Sequence, residues 1–142
     1  MDDKNLTDKL IYIADDDLSI RMAVKTFMDS VGYTVRDFEN GDDLLVAFNN
    51  KPADFVILDV MMPGTHNGFS VLRELRAISN VPVIMLTARD SDQDYRTGLD
   101  LGSDDFLVKP VNPMNIVMRV KSIFRRIAFD RADFEKEMAN KS

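Results

Sequence analysis

The chain has 142 residues, 45% of them hydrophobic and 30% charged, proportions that suit one globular domain with its own core. Eighteen basic against twenty-four acidic side chains leave a net charge of −6, so the surface repels nucleic acid and anionic membrane. Cysteine is absent, which excludes disulfides, thiolate metal sites and thiol catalysis. The polar start MDDKNLTDK and the lack of an apolar run of membrane-spanning length predict a cytoplasmic protein.

In chain order, LIYIA (10–14) is short and wholly apolar, as a buried strand is. Ile20, Ala23, Val24, Phe27 and Val31 then fall on one face of a helix that Gly32 ends. A mixed strand, YTVRDF (33–38), is followed by a helix carrying Leu44 and Phe48 and by the apolar strand FVILD (55–59). Phe69, Leu72 and Leu75 repeat the helical period before a fourth strand, VPVIML (81–86). DSDQDYRTGLDLG (90–102) is a helix with only Tyr95, Leu99 and Leu101 to bury. FLV (106–108) is a fifth strand, and Ile116, Val120, Ile123 and Ile127 mark the last helix. Strands alternating with helices predict an α/β fold with a parallel sheet. The continuous apolar strands belong at its centre, with helices on both faces, and the mixed strand at 33–38 belongs at an edge.

In such sheets chemistry collects at the carboxyl ends of the strands. There stand Asp15, Asp16 and Asp17 after the first strand, Asp59 after the third, Thr87 and Ala88 after the fourth, and Lys109 and Pro110 after the fifth. Carboxylates brought together repel unless one is protonated or a cation is bound. Oxygen ligands without histidine or cysteine favour a hard ion such as Mg²⁺. A carboxylate can also attack phosphorus, and Asp59 is the best placed to do so. Lys109 and the Thr87 hydroxyl would then neutralise and hydrogen-bond the phosphoryl oxygens.

IADDD, FVILDVMMPG, VIMLTARD and DDFLVKP, in this order and spacing, resemble the receiver domain of two-component response regulators, over residues 8 to about 127. The resemblance implies a flavodoxin-like, doubly wound five-stranded parallel sheet of order 2-1-3-4-5 and a receiver domain over 1–127; the charged segment 128–142 reads as a helical extension, a linker or a frayed tail. It implies that Asp59 takes a phosphoryl group from a sensor histidine kinase, and that Mg²⁺ (or Mn²⁺) is held by Asp16, Asp59 and the Met61 carbonyl, with Asp15 acting largely through water. Thr87 and Lys109 would hold the phosphoryl oxygens, and Phe106 would be an aromatic switch drawn in with Thr87. The family often has tyrosine there, so a switch at Phe106 rests on ring position alone. The Lys109–Pro110 bond is expected to be cis. Such a domain is not a turnover enzyme as such; it catalyses its own phosphorylation and a slow autodephosphorylation. Its activated state would control an output domain or downstream protein through the fourth helix, fifth strand and fifth helix, with a population shift centred on the fourth helix.

The match is closest to receivers of winged-helix transcription factors, which dimerise through charged pairs on that same surface. Asp105, Arg119 and Arg126 fit the pattern, whereas Tyr95 and Asn115 stand where a basic and an acidic residue are usual. Between Pro63 and Gly68 lie four residues, Gly64-Thr65-His66-Asn67, one more than usual. Met61 and Arg89 occupy positions that tune phosphoryl lifetime in the family. Asp17 reads as a helix N-cap, His66 as an exposed loop residue, and the methionines as fillers of core gaps. From Phe106 to Phe129 there is no acid, so the last helix carries a basic stripe of Arg119, Lys121, Arg125 and Arg126, to be read as a docking face or as a solvated one. Ile127, Phe134 and Met138 continue its apolar spacing into the extension. Two other classes stay open. One is a receiver-fold docking module that works without phosphorylation. The other is a Mg²⁺-dependent phosphohydrolase using the D-x-D of Asp15-Asp16-Asp17, which would leave Asp59 unexplained.

Overall fold

The computed structural model describes residues 8–88 and 92–140. In chain order its elements are β1 (Leu10–Ala14), α1 (Leu18–Ser30), β2 (Thr34–Phe38), α2 (Gly41–Asn50), β3 (Phe55–Asp59), α3 (Gly68–Ile78), β4 (Val83–Thr87), α4 (Asp92–Asp100), β5 (Asp105–Val108) and α5 (Pro113–Asn140). The strands form one parallel sheet of order β2-β1-β3-β4-β5. The mixed strand β2 is one edge and β5 the other, while β1, β3 and β4 lie between them with almost every side chain buried. The period of two along a strand divides these side chains between two cores. Tyr12, Val56, Leu58, Val83 and Met85 pack with Leu44, Phe48, Leu72 and Leu75 of α2 and α3. Ile11, Ile13, Phe55, Ile57, Ile84 and Leu86 pack with Val24 and Met28 of α1 and with Ile116, Val120 and Phe124 of α5.

Local chemistry sets the element ends. Asp17 is the N-cap of α1, accepting the Ser19 N–H, and Asn40 and Asn67 cap α2 and α3 in the same way. Gly32 takes φ 93°, a left-handed conformation that suits the residue after a helix. β4 begins at Val83, later than the apolar run suggests, because Pro82 has no N–H to give the ladder, although its carbonyl accepts from Val56. The Lys109–Pro110 bond is cis. α5 is a single helix of 28 residues, and its last part, from Phe129 on, is exposed on all sides.

Three expectations are corrected. Leu99, expected to anchor α4, is 47% exposed, whereas Gly98 is buried and Leu101, just after the helix, packs partly against the core. Of the described methionines only Met28 and Met85 lie fully in the core; Met22, Met61, Met114, Met118 and Met138 are exposed. His66 is not a free loop residue: its ring is three-quarters covered and faces a carboxylate on each side, as described below. No helix among the described residues is long and apolar enough to cross a membrane.

Candidate functional site

Parallel strands all point the same way, so the residues that end β1, β3, β4 and β5 meet at one rim. Asp15 follows β1, Asp59 closes β3 in register with Leu86, and Thr87 closes β4 in register with Val108. Asp15, Asp59 and Thr87 are buried, whereas Asp16 faces solvent. One carboxylate oxygen from each of Asp15, Asp16 and Asp59 lies within 4.8 Å of the others. Lys109 enters from the end of β5, where its N–H donates to the Thr87 carbonyl at 2.6 Å. Its ammonium stands 2.8 Å from Asp15 Oδ2 and 3.4 Å from Asp59 Oδ2.

These neighbours set the charges. Burial, and then the charge of Asp15, push Asp59 up to about 6; Lys109 and the Met61 N–H pull it the other way. Burial alone would lower the Lys109 ammonium, but Asp15 and Asp59 outweigh it and hold the group above the ordinary lysine value. One ammonium facing three carboxylates leaves the rim short of positive charge. Three carboxylates with no nitrogen or sulfur donor suit a small hard cation, so the residues present fit Mg²⁺.

The loops that carry these groups are held by contacts that the sequence did not single out. Arg21 of α1 pairs with Asp37 of β2 at 2.9 Å and donates to the Asp15 main-chain carbonyl at 2.7 Å, which fixes the acidic turn after β1. Its only sequence signal is its place one helical turn after Asp17. After β3, Val60 N–H donates to Leu86 O, and Gly68 N–H returns to Val60 O. Gly68 lies so close to the strand that a Cβ there would stand 2.2 Å from the Asp59 carbonyl oxygen. Phe106 of β5 is buried with the core of the α2 and α3 face, its ring against Gly98 of α4. Asp105 pairs within the chain with Arg119 of α5 at 3.0 Å. Arg89 and the side chain of Tyr95 lie outside the described residues.

Residues 11–121 match the response regulator receiver domain. The chain belongs to that family. A probable transcriptional regulator, ycf27 of Porphyridium aerugineum, is 39% identical over 130 residues, which are 92% of this chain and 53% of the relative. The regulatory protein VanRc of Enterococcus gallinarum is 40% identical over 116 residues, 82% of this chain and 50% of the relative. Among solved structures, the receiver domain of the Francisella response regulator 1452 superimposes with a TM-score of 0.79 at 34% identity, covering 84% of this chain and 99% of that one. The sheet order and the cover of helices are those of the flavodoxin-like receiver fold, as the sequence implied. The receiver domain described here spans about half the length of the curated relatives it matches. The family is one of phosphorylation-activated signalling domains that generally use Mg²⁺ at the acidic pocket.

Proposed function

We propose that this receiver accepts a phosphoryl group on Asp59 from the phosphohistidine of a sensor histidine kinase. The observation that supports this most is the Lys109 ammonium set between Asp15 and Asp59 at the rim, beside the buried Thr87. An Asp59 carboxylate oxygen attacks phosphorus, the bond from phosphorus to the donor imidazole nitrogen breaks, and the nitrogen leaves with its electron pair. Lys109 and the Thr87 hydroxyl take the phosphoryl oxygens by charge and hydrogen bond. Asp15, Asp16, Asp59 and the Met61 carbonyl would hold Mg²⁺ (or Mn²⁺). When bound, the ion neutralises charge on the transferring group and its acceptor. Asp15 acts largely through water in this reading.

The added charge, close to −2, favours the state with Thr87 and Phe106 drawn toward it, and α4, β5 and α5 carry the change outward. The output is control of transcription, as the relatives' descriptions suggest, exerted in the cytoplasm through an output domain or a partner rather than by this segment's own contact with DNA. Pairing of two copies through α4, β5 and α5 would require Asp105 and Arg119 to exchange their present mutual contact for one with the second copy.

The test is intact mass after incubation with Mg²⁺ and acetyl phosphate. The parent gains one phosphoryl group and Asp59→Asn gains none. Gain by both sinks the assignment of Asp59, and gain by neither favours a docking module.

A further inference from the structure

The loop from Asp59 to α3 carries an ion-pair cluster that the phosphoacceptor chemistry does not use. Asp42, in the first turn of α2, faces that loop with both oxygens. Oδ2 accepts the Thr65 N–H at 3.2 Å, and Oδ1 pairs with His66 Nδ1. The other ring nitrogen, Nε2, stands 3.1 Å from Glu74 Oε2 on α3. Gly64, at φ 99°, lets the chain turn into this position, and a Cβ there would press on Asp42 Oδ2 at 3.1 Å. His66 therefore ties the loop to two helices at once. That loop starts with the Met61 N–H on the Asp59 carboxylate and ends with Gly68 against the Asp59 carbonyl, so its placement bears on the acceptor at both ends.

We propose that His66 is a positioning residue for the reaction at Asp59: as an imidazolium it clamps the Asp59–α3 loop between Asp42 and Glu74, and loss of its proton releases the clamp and slows phosphoryl gain. This rests on Asp59 being the acceptor. Both ring nitrogens face carboxylates, and only the imidazolium donates from both. The charged groups acting on the ring are Asp42 from α2 and Glu74 from α3; Asp43, the other acid in the first turn of α2, is turned to Asn40. The hydrogen bond to Asp42 is the main cause that holds His66 above the ordinary histidine range, and His66 in turn holds Asp42 below the usual carboxylate range. A raised histidine keeps its pairs fully below the ordinary value of about 6.5 and loses them as pH rises through its own higher value.

His66 is the only histidine, so its ring resonances titrate without ambiguity in the intact chain. The ring is expected to titrate above the ordinary range in the parent and to fall back in Asp42→Asn. Beside this, the rate of phosphoryl gain from acetyl phosphate with Mg²⁺ is compared at each pH between the parent, His66→Gln and His66→Arg. The ratio to parent cancels the pH dependence of donor and acceptor. His66→Gln should be slower by about two- to fivefold at pH 6, the size expected of half-exposed ion pairs, and equal to the parent above the ring's pKa. His66→Arg should keep the faster rate throughout. A ratio constant with pH overturns the clamp, as does a ring that titrates normally and ignores Asp42→Asn. If no variant and no parent gains phosphoryl, the acceptor reading itself fails and takes the proposal with it, whatever the ring titration shows.

Discussion

Helices α3 and α4 both begin just after a strand that ends at the acidic rim, yet they are held very differently. α3 starts with Gly68 pressed on the Asp59 carbonyl, buries Val71, Leu72 and Leu75 completely, and is tied at its far end by Arg76 to the Gly102 carbonyl and to Asp104. α4 is short, exposes Leu99, and sets Gly98 beside the Phe106 ring of β5. Stability is not uniform across a fold, and the elements that move come from its weakly packed end. The rim thus has a fixed side, which places the acceptor, and a loose side, which can register its charge.

The fixed side is broken most severely at Gly68. A methyl group there would meet main-chain atoms that cannot rotate away, at 2.2 Å from the Asp59 oxygen and 2.9 Å from its carbon. Gly68→Ala should lose about 3 kcal/mol or more, the upper range of overpacking, in urea unfolding. A loss below about 1 kcal/mol would mean that the start of α3 yields as readily as α4.

The next largest effect sharpens the electrostatics of the same side. Raising Asp59 to about 6 means that its ionisation opposes folding. The opposition is about 3 kcal/mol at most, because each pH unit between the folded and unfolded titrations corresponds to about 1.4 kcal/mol. The sign follows from linkage: an acid raised in the folded state adds stability below its unfolded value and loses it as pH rises through its folded one. Asp59→Asn should therefore stabilise the metal-free protein at pH 7.5 and lose that advantage as the pH falls from about 6 to 4. Denaturant unfolding at these pH values checks it, and equal stability at pH 7.5 would show that Lys109 fully compensates the buried carboxylate. Adding Mg²⁺ should raise the parent toward the variant.

The loose side is tested by hydrogen exchange. With beryllofluoride and Mg²⁺ bound, amides of α4 and β5 should change their exchange several-fold, while those of α3 stay as they were. A change spread evenly over both helices would erase the contrast between them.

Much of the rim was legible in the sequence because it is made of residues at strand ends. A buried apolar run closed by Asp59, with Asp15, Asp16, Thr87 and Lys109 at matching points, fixes a site once the sheet is parallel. Strand β2 was recognisable as an edge from Arg36 and Asp37 among its apolar residues. What was not legible lies between elements. The contacts of Arg21 with Asp37 and the Asp15 carbonyl, and of His66 with Asp42 and Glu74, join residues whose spacing follows no helical or strand period. Periodicity also misplaced Leu99, which faces solvent rather than the core.

The smallest effect bears on whether Phe106 is a switch or plain core. A Cβ at Gly98 would stand 3.0 and 3.3 Å from two carbons of the Phe106 ring and 3.3 Å from Ser103 Oγ. In a helix, alanine gains up to about 1 kcal/mol over glycine, and this crowding takes back a similar amount, so the global stability of Gly98→Ala should stay within about 0.5 kcal/mol of the parent. The inward ring is the state that is crowded. If that state is the one phosphorylation selects, the variant must spend part of its binding free energy on restoring it, and beryllofluoride should bind about two- to fivefold more weakly. Reduced stability with unchanged beryllofluoride affinity would give the opposite answer: the ring would be an ordinary part of the core, and the loose side would have to register the charge on Asp59 by another route.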